Sequence, residues 1–184
     1  MNSRTSDLEK HFVPECYFDT MLVMRLLDTK KRLLHKKGCN NVVNELATGK
    51  LKDTFAVAVV DKDKTELEFL KKCTLLREED GWLLWKRINR PQFVIQLYPP
   101  LEKWLQVMLG KGGYSIVDFG YSADLRQLKR QIKMEIDTEK DEKLNNLIGV
   151  LLKCNLPTIE ALQRVLKYLK MNNFKTDVNA LKYV

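Results

Sequence analysis

FAVAVVDKDK, residues 55–64, decides how this chain is read. Residues 55–60 are apolar without a break, a length that suits a strand better than a helix. A strand with one solvated face would alternate apolar and polar residues. This one does not, so both of its faces are covered, the pattern of a central strand in a parallel sheet with helices on either side. The run ends in Asp61 and Asp63, with Lys62 and Lys64 interleaved. Two carboxylates at i, i+2 directly after a buried strand have two readings. One is a solvated polar turn, for which Asp is a common residue. The other is a pair of ligands for a cation at the strand's C-terminal end.

Working outward, KHFVPEC (residues 10–16) reads as a short strand. A helix follows, capped by Asp19 or Thr20 and running to about residue 34, with Leu22, Val23, Leu26 and Leu27 on one face. LLHKKGCNNVVNEL holds a Gly-Asn turn signal and a second short apolar segment. KTELEFLKKCTLLREE (residues 64–79) has helical spacing. GWLLWKRI and QFVIQLYP are strands parted by the turn-like NRP. PPLEKWLQVMLG opens on prolines and stops at glycine, as a helix does. From residue 121 onward only helices are expected: 123–136, 141–153, 157–171 and a short last one in TDVNALKYV, capped by Thr176 or Asp177. Strand–helix alternation followed by helices predicts an α/β domain over residues 1–120, a mostly parallel sheet flanked by helices, with an α-helical C-terminal extension over 121–184.

Composition narrows the function classes. The chain has 184 residues and is 45% hydrophobic, enough for one well-packed domain with a small appendage. No apolar run is long enough to span a membrane, and MNSRTSDLEKHF lacks the apolar core of a signal peptide, so the expectation is a soluble cytoplasmic protein with no membrane partner. The four cysteines lack C-x-x-C spacing, which argues against disulfides and structural zinc. With only His11 and His35, histidine chemistry is equally unpromising. No G-x-S-x-G, Walker loop or G-x-G-x-x-G occurs, and GKGG at 110–113 is too short for a phosphate loop. The net charge of +8 favours an anionic partner such as nucleic acid. It is shared between the two parts, +4 in residues 1–121 and +4 in 122–184. Arg126, Lys129, Arg130 and Lys133 fall at i, i+3, i+4, i+7, a basic stripe opposite Leu125, Leu128, Ile132 and Ile136. Such a stripe is either a solvated helix face or a surface that tracks phosphates. Trp82, Trp85 and Trp104 read as packing aromatics.

In open α/β sheets, functional groups gather at the C-terminal ends of the strands. Glu15 ends the first strand, Asp61 and Asp63 the central one, and Glu102 follows the strand FVIQLYP. Clustered carboxylates repel unless they share a proton or a cation. All-oxygen ligands without His or Cys suit magnesium or manganese. Glu102 has a second reading, as an acid complementing a helix dipole. Asp19 fits a helix cap better than a ligand.

These residues carry a resemblance. PECYFDTMLVMRLL resembles the first motif of the TOPRIM domain family, a glutamate (Glu15) followed by an acidic residue opening a helix (Asp19). AVAVVDKDK resembles the second, a hydrophobic strand ending in Asp-x-Asp (Asp61, Asp63). VIQLYPPLEKWL is similar to the segment of stand-alone and overcoming-lysogenization-defect (OLD) nuclease-like members, in which a Leu-Glu pair joins the metal site (Leu101, Glu102). The likeness spans roughly residues 10–110. It departs at Cys16, where the family usually has glycine, and at KTEL after the Asp-x-Asp. The resemblance implies that Glu15, Asp61, Asp63 and Glu102 hold Mg2+ or Mn2+, and that Glu15 acts in acid/base chemistry. Lys62 or Lys64 then neutralises charge at a phosphate or stays in a solvated turn. With no tyrosine in a topoisomerase setting, the implied chemistry is hydrolytic phosphodiester cleavage. The alternative is a non-catalytic subunit that keeps the fold and docks on a partner such as an ATPase through its C-terminal helices.

Overall fold

The apolar run becomes β2 (Ala56–Asp61), buried along its whole length. The computed structural model describes residues 8–62, 67–133 and 138–184. Asp63, Lys64, Ile136 and the side chain of Lys133, all named above, lie outside the described residues. β2 pairs in parallel with β1 (Phe12–Pro14) on one side and with β5 (Gln92–Leu97) on the other. The sheet has five strands in the order β1-β2-β5-β4-β3. Three of them are parallel, while β4 (Trp82–Arg87) runs antiparallel to β5 and β3 (Cys73–Glu79) antiparallel to β4.

Both faces of the sheet are covered, as the unbroken apolar run requires. Phe12, Val57, Val59, Phe93 and Ile95 point to one face. There they pack on α1 (Tyr17–Leu26), α3 (Leu101–Lys111), α4 (Leu125–Lys133), α5 (Thr138–Lys153) and α6 (Pro157–Asn172). The alternating residues Val13, Ala56, Ala58, Val60 and Val94 face the other way, onto α2 (Cys39–Ala47) and a 3-10 turn at Glu68–Lys72. The C-terminal helices therefore share one buried cluster with the sheet. Trp82 and Trp104 are fully buried in it, as their packing role predicts.

Three expectations need correction. Residues 64–79 show helical spacing, yet the described part gives a short 3-10 turn and then β3. The overlooked signal is Asp80-Gly81, a hairpin turn dipeptide between β3 and β4. Gly81 has φ of +117°, and a Cβ there would lie 2.9 Å from Nε1 of Trp104, so only glycine fits. The strand ladder with β4 outweighs the local helical pattern.

The first helix is shorter than expected. It is capped by Cys16 rather than by Asp19 or Thr20, and it ends at Leu26 rather than near residue 34. Asp28 takes a positive φ of 49°, which breaks the helix. The chain then runs extended beside β1, with the amides of Leu34 and Lys36 donating to the carbonyls of Phe12 and Pro14. The last predicted helix is only a 3-10 turn at Ala180–Lys182. Among the described residues no helix is long and apolar enough to cross a membrane.

Candidate functional site

Parallel pairing of β1, β2 and β5 sends their C-terminal ends to one edge of the sheet. The register Pro14 to Val59 continues one residue further, where the amide of Glu15 donates to the carbonyl of Val59 at 3.0 Å. Glu15 is thereby set beside the last residue of β2. Its Oε2 accepts the backbone N–H of Asp61 at 3.1 Å. The two carboxylate residues that end separate strands in the sequence meet directly in the fold, as expected. Both are buried, Glu15 at 7% and Asp61 at 3% exposure.

Asp61 also reaches the third strand end. Its Oδ1 accepts the N–H of Leu101, the first residue of α3, at 3.2 Å. This N–H is one of the groups that the helix leaves unbonded at its start, and Pro100 at the N-cap offers no side-chain bond. Asp61 thus fixes the entry of α3 and with it Glu102, buried in the first helical turn. Asp63, the fourth proposed ligand, lies outside the described residues, as does Lys64.

Asp19 is a capping residue, in a different way from that expected. The Cys16 thiol accepts from the Asp19 amide at 3.4 Å, and Asp19 Oδ2 accepts from the Cys16 amide at 3.1 Å, a reciprocal capping box. The Cys16 side chain thus starts the helix. Burial, reinforced by the negative charges of Asp19 and Asp61, pushes the Cys16 thiol well above its ordinary pKa, so it is a neutral cap.

One member of the centre carries no sequence signal. Cys39, the first residue of α2, donates its thiol to Glu15 Oε2 at 2.7 Å and lies 3.7 Å from the Asp61 carbonyl. Cysteine spacing gave no reason to place it here. Only the path of the chain does: the extended segment beside β1 delivers Gly38 and Cys39 to the strand ends. Lys62 is exposed at the same edge, its amide bonded to the Leu97 carbonyl at 2.8 Å and its ammonium 4.9 Å from the centre of the Tyr98 ring.

The donor set is therefore carboxylate oxygen first, with one thiol against it. Glu15 is held by a thiol and a backbone N–H, neither of them cationic. Among the described residues no group of three or more His, Cys, Asp or Glu side chains stands ready around a single ion position. The Glu15 carboxylate meets the Asp61 backbone and the Asp61 carboxylate meets the start of α3, and oxygen ligands of this type suit a hard cation in chemistry. On the far side of the molecule from α2, Arg126, Lys129 and Arg130 are exposed along α4, while Leu128 and Ile132 are buried. The stripe faces solvent as its spacing predicts, but Leu125 on the expected apolar face is 42% exposed. No family model, curated protein or solved structure matches the chain.

Proposed function

We propose that this chain is a TOPRIM-like, magnesium- or manganese-dependent nuclease or phosphodiester-transfer domain acting on nucleic acid in the cytoplasm. The observation that carries the reading is the bond from the Asp61 amide to Glu15 Oε2, which joins two buried carboxylate residues from different strand ends. Glu15, Asp61, Asp63 and Glu102 would hold the ion. When bound, it would polarise a phosphate and lower the pKa of a water molecule. Glu15 is then placed to take a proton from the attacking water, with the Cys39 thiol and the Asp61 amide orienting its carboxylate. Asp61 holds α3 and Glu102 in place through Leu101. Lys62 or Lys64 would offset phosphate charge, and Arg126, Lys129, Arg130 and Lys133 would add to long-range attraction. Calorimetric titration with magnesium and manganese tests the ligand set. Wild type should bind, while Glu15→Gln and Asp61→Asn should not, and the same variants should lose metal-dependent cleavage of labelled DNA or RNA.

A second reading has its own observation. Glu15 Oε2 and Asp61 Oδ1 are engaged by Cys39, the Asp61 amide and the Leu101 amide, bonds that serve a folded scaffold without any ion. On that reading the chain is a non-catalytic subunit that docks on a partner such as an ATPase. No heat of metal binding, together with cleavage activity at background, would favour it.

A further inference from the structure

Half of the net charge of +8 sits in ten residues. The sequence DTKKRLLHKK, residues 28–37, carries Lys30, Lys31, Arg32, Lys36 and Lys37 against Asp28, a net +4. Its placement is specific. The amides of Leu34 and Lys36 donate to the carbonyls of Phe12 and Pro14 at 3.2 Å each, so the segment runs beside β1 toward the strand's C-terminal end. Two residues beyond Lys37, the Cys39 thiol touches Glu15. The basic segment therefore ends against the carboxylate centre.

The segment continues into a groove of about 430 Å³ lined by Lys36, Lys37, Asn41, Asn44, Glu45 and Thr48. Asn41, Asn44 and Glu45 lie on one face of α2, and Thr48 caps its C-terminal end. Two cations of the segment are tied to acids: Lys36 pairs with Glu45 at 3.0 Å, and Lys31 lies 3.8 Å from Glu9. Lys30, Arg32 and Lys37 are exposed, and among the described residues they form no ion pair. Asn41 to Thr48 spans about 10 Å at the helical rise, the axial length of about three phosphates of one strand.

From the unpaired cations, the groove and the Cys39–Glu15 contact two residues past the segment, we infer that residues 28–37 and the outer face of α2 form a phosphate-tracking surface for a single nucleic-acid strand. It leads the backbone of that strand to the edge where Glu15 and Asp61 meet. The inference rests on the reading above in taking a phosphodiester chain as the ligand. It goes further in placing that chain on the α2 side of the sheet, opposite the α4 stripe. Side chains in the groove offer ammonium, amide and hydroxyl groups, the one carboxylate (Glu45) being paired with Lys36, and no aromatic face, so the contact is to backbone and not to bases.

Fluorescence anisotropy with a labelled single-stranded oligonucleotide tests it, in chelator so that binding is read without metal or cleavage. Lys30→Glu/Arg32→Glu/Lys37→Glu should weaken binding at least tenfold at about 50 mM salt and reduce the salt slope by about two. Arg126→Glu/Arg130→Glu should cost less than that. The milder triple change to Gln should fall between, and melts of each variant check that it is folded. A loop variant that binds like wild type, a larger loss from the α4 variant, or a wild type without affinity would each overturn the inference. Failure of the nuclease reading shows separately, as absent metal binding in a protein that still holds the oligonucleotide through the loop.

Discussion

Asp61 is asked to do two things, and two substitutions separate them. Its Oδ1 accepts the Leu101 N–H at 3.2 Å in a buried setting, and its charge is offered to a cation. Asp61→Asn keeps an oxygen at that position and removes the charge. Asp61→Ala removes both and strands a buried helix-start N–H, which costs about 1–3 kcal/mol. In chelator, Asp61→Asn should therefore melt within a few degrees of wild type. Asp61→Ala should melt lower by about 2–12 °C, since each kcal/mol moves the midpoint of a chain this long by about 2–4 °C. Magnesium at a hundred times its Kd should add about 2.7 kcal/mol to wild type, a rise of about 5–11 °C. In both variants that rise should vanish. Thermal melts by circular dichroism, with and without magnesium, read all of this. Equal magnesium responses in the three proteins would refute the cation role. An Asp61→Ala protein as stable as Asp61→Asn would refute the anchoring of α3.

Glu9 accepts Lys170 from α6 at 2.9 Å. Burial works to raise its carboxyl pKa, yet the hydrogen bond and charge of Lys170, with Lys31, outweigh it and the net direction is down. A lowered folded pKa contributes stability above the unfolded value of about 4.3, lost as pH falls through the folded value. Glu9→Gln should cost about 2 kcal/mol at neutral pH and flatten the acid limb of a denaturation profile. Gln92 is fully buried and donates to the carbonyls of Leu46, Leu51 and Lys52, so Gln92→Leu should cost about 3 kcal/mol in urea denaturation with little change in slope. Cys16→Ser should leave stability within about 1 kcal/mol because serine is a preferred cap, whereas Cys16→Ala should lose about that much. Neither change should alter magnesium binding, which a titration would check.

Much of the fold was legible because the strongest signals were long-range ones. An apolar run without alternation must be covered on both faces, and β2 is. Parallel pairing then made the strand ends converge, so Glu15 and Asp61 were foreseeable as neighbours. What the sequence hid was geometry that depends on partners. The segment 73–79 has helical spacing but was claimed by the β4 ladder. Residues 27–34 looked like the end of a helix, and only the open edge of β1 makes an extended path preferable. Cys39 is unremarkable as a residue and acquires its contact with Glu15 from that path. Asp61 was readable as a turn or a ligand, but its bond to Leu101 needed the position of α3. The charge total misled too: two parts of equal net charge, residues 1–121 and 122–184, concealed a dense basic segment inside the first.

An open sheet has two edges, and each is a template on which another chain can polymerise. Here the β1 edge is taken by the backbone of residues 34–36, and the flanking lysines repel any second strand that approaches. The outer strand β3 breaks its register between Leu75 and Arg77 and carries Arg77, Glu78 and Glu79. Deleting the basic segment would thus do more than weaken an electrostatic surface. It would bare three residues of a fully buried, apolar strand to pairing with another chain.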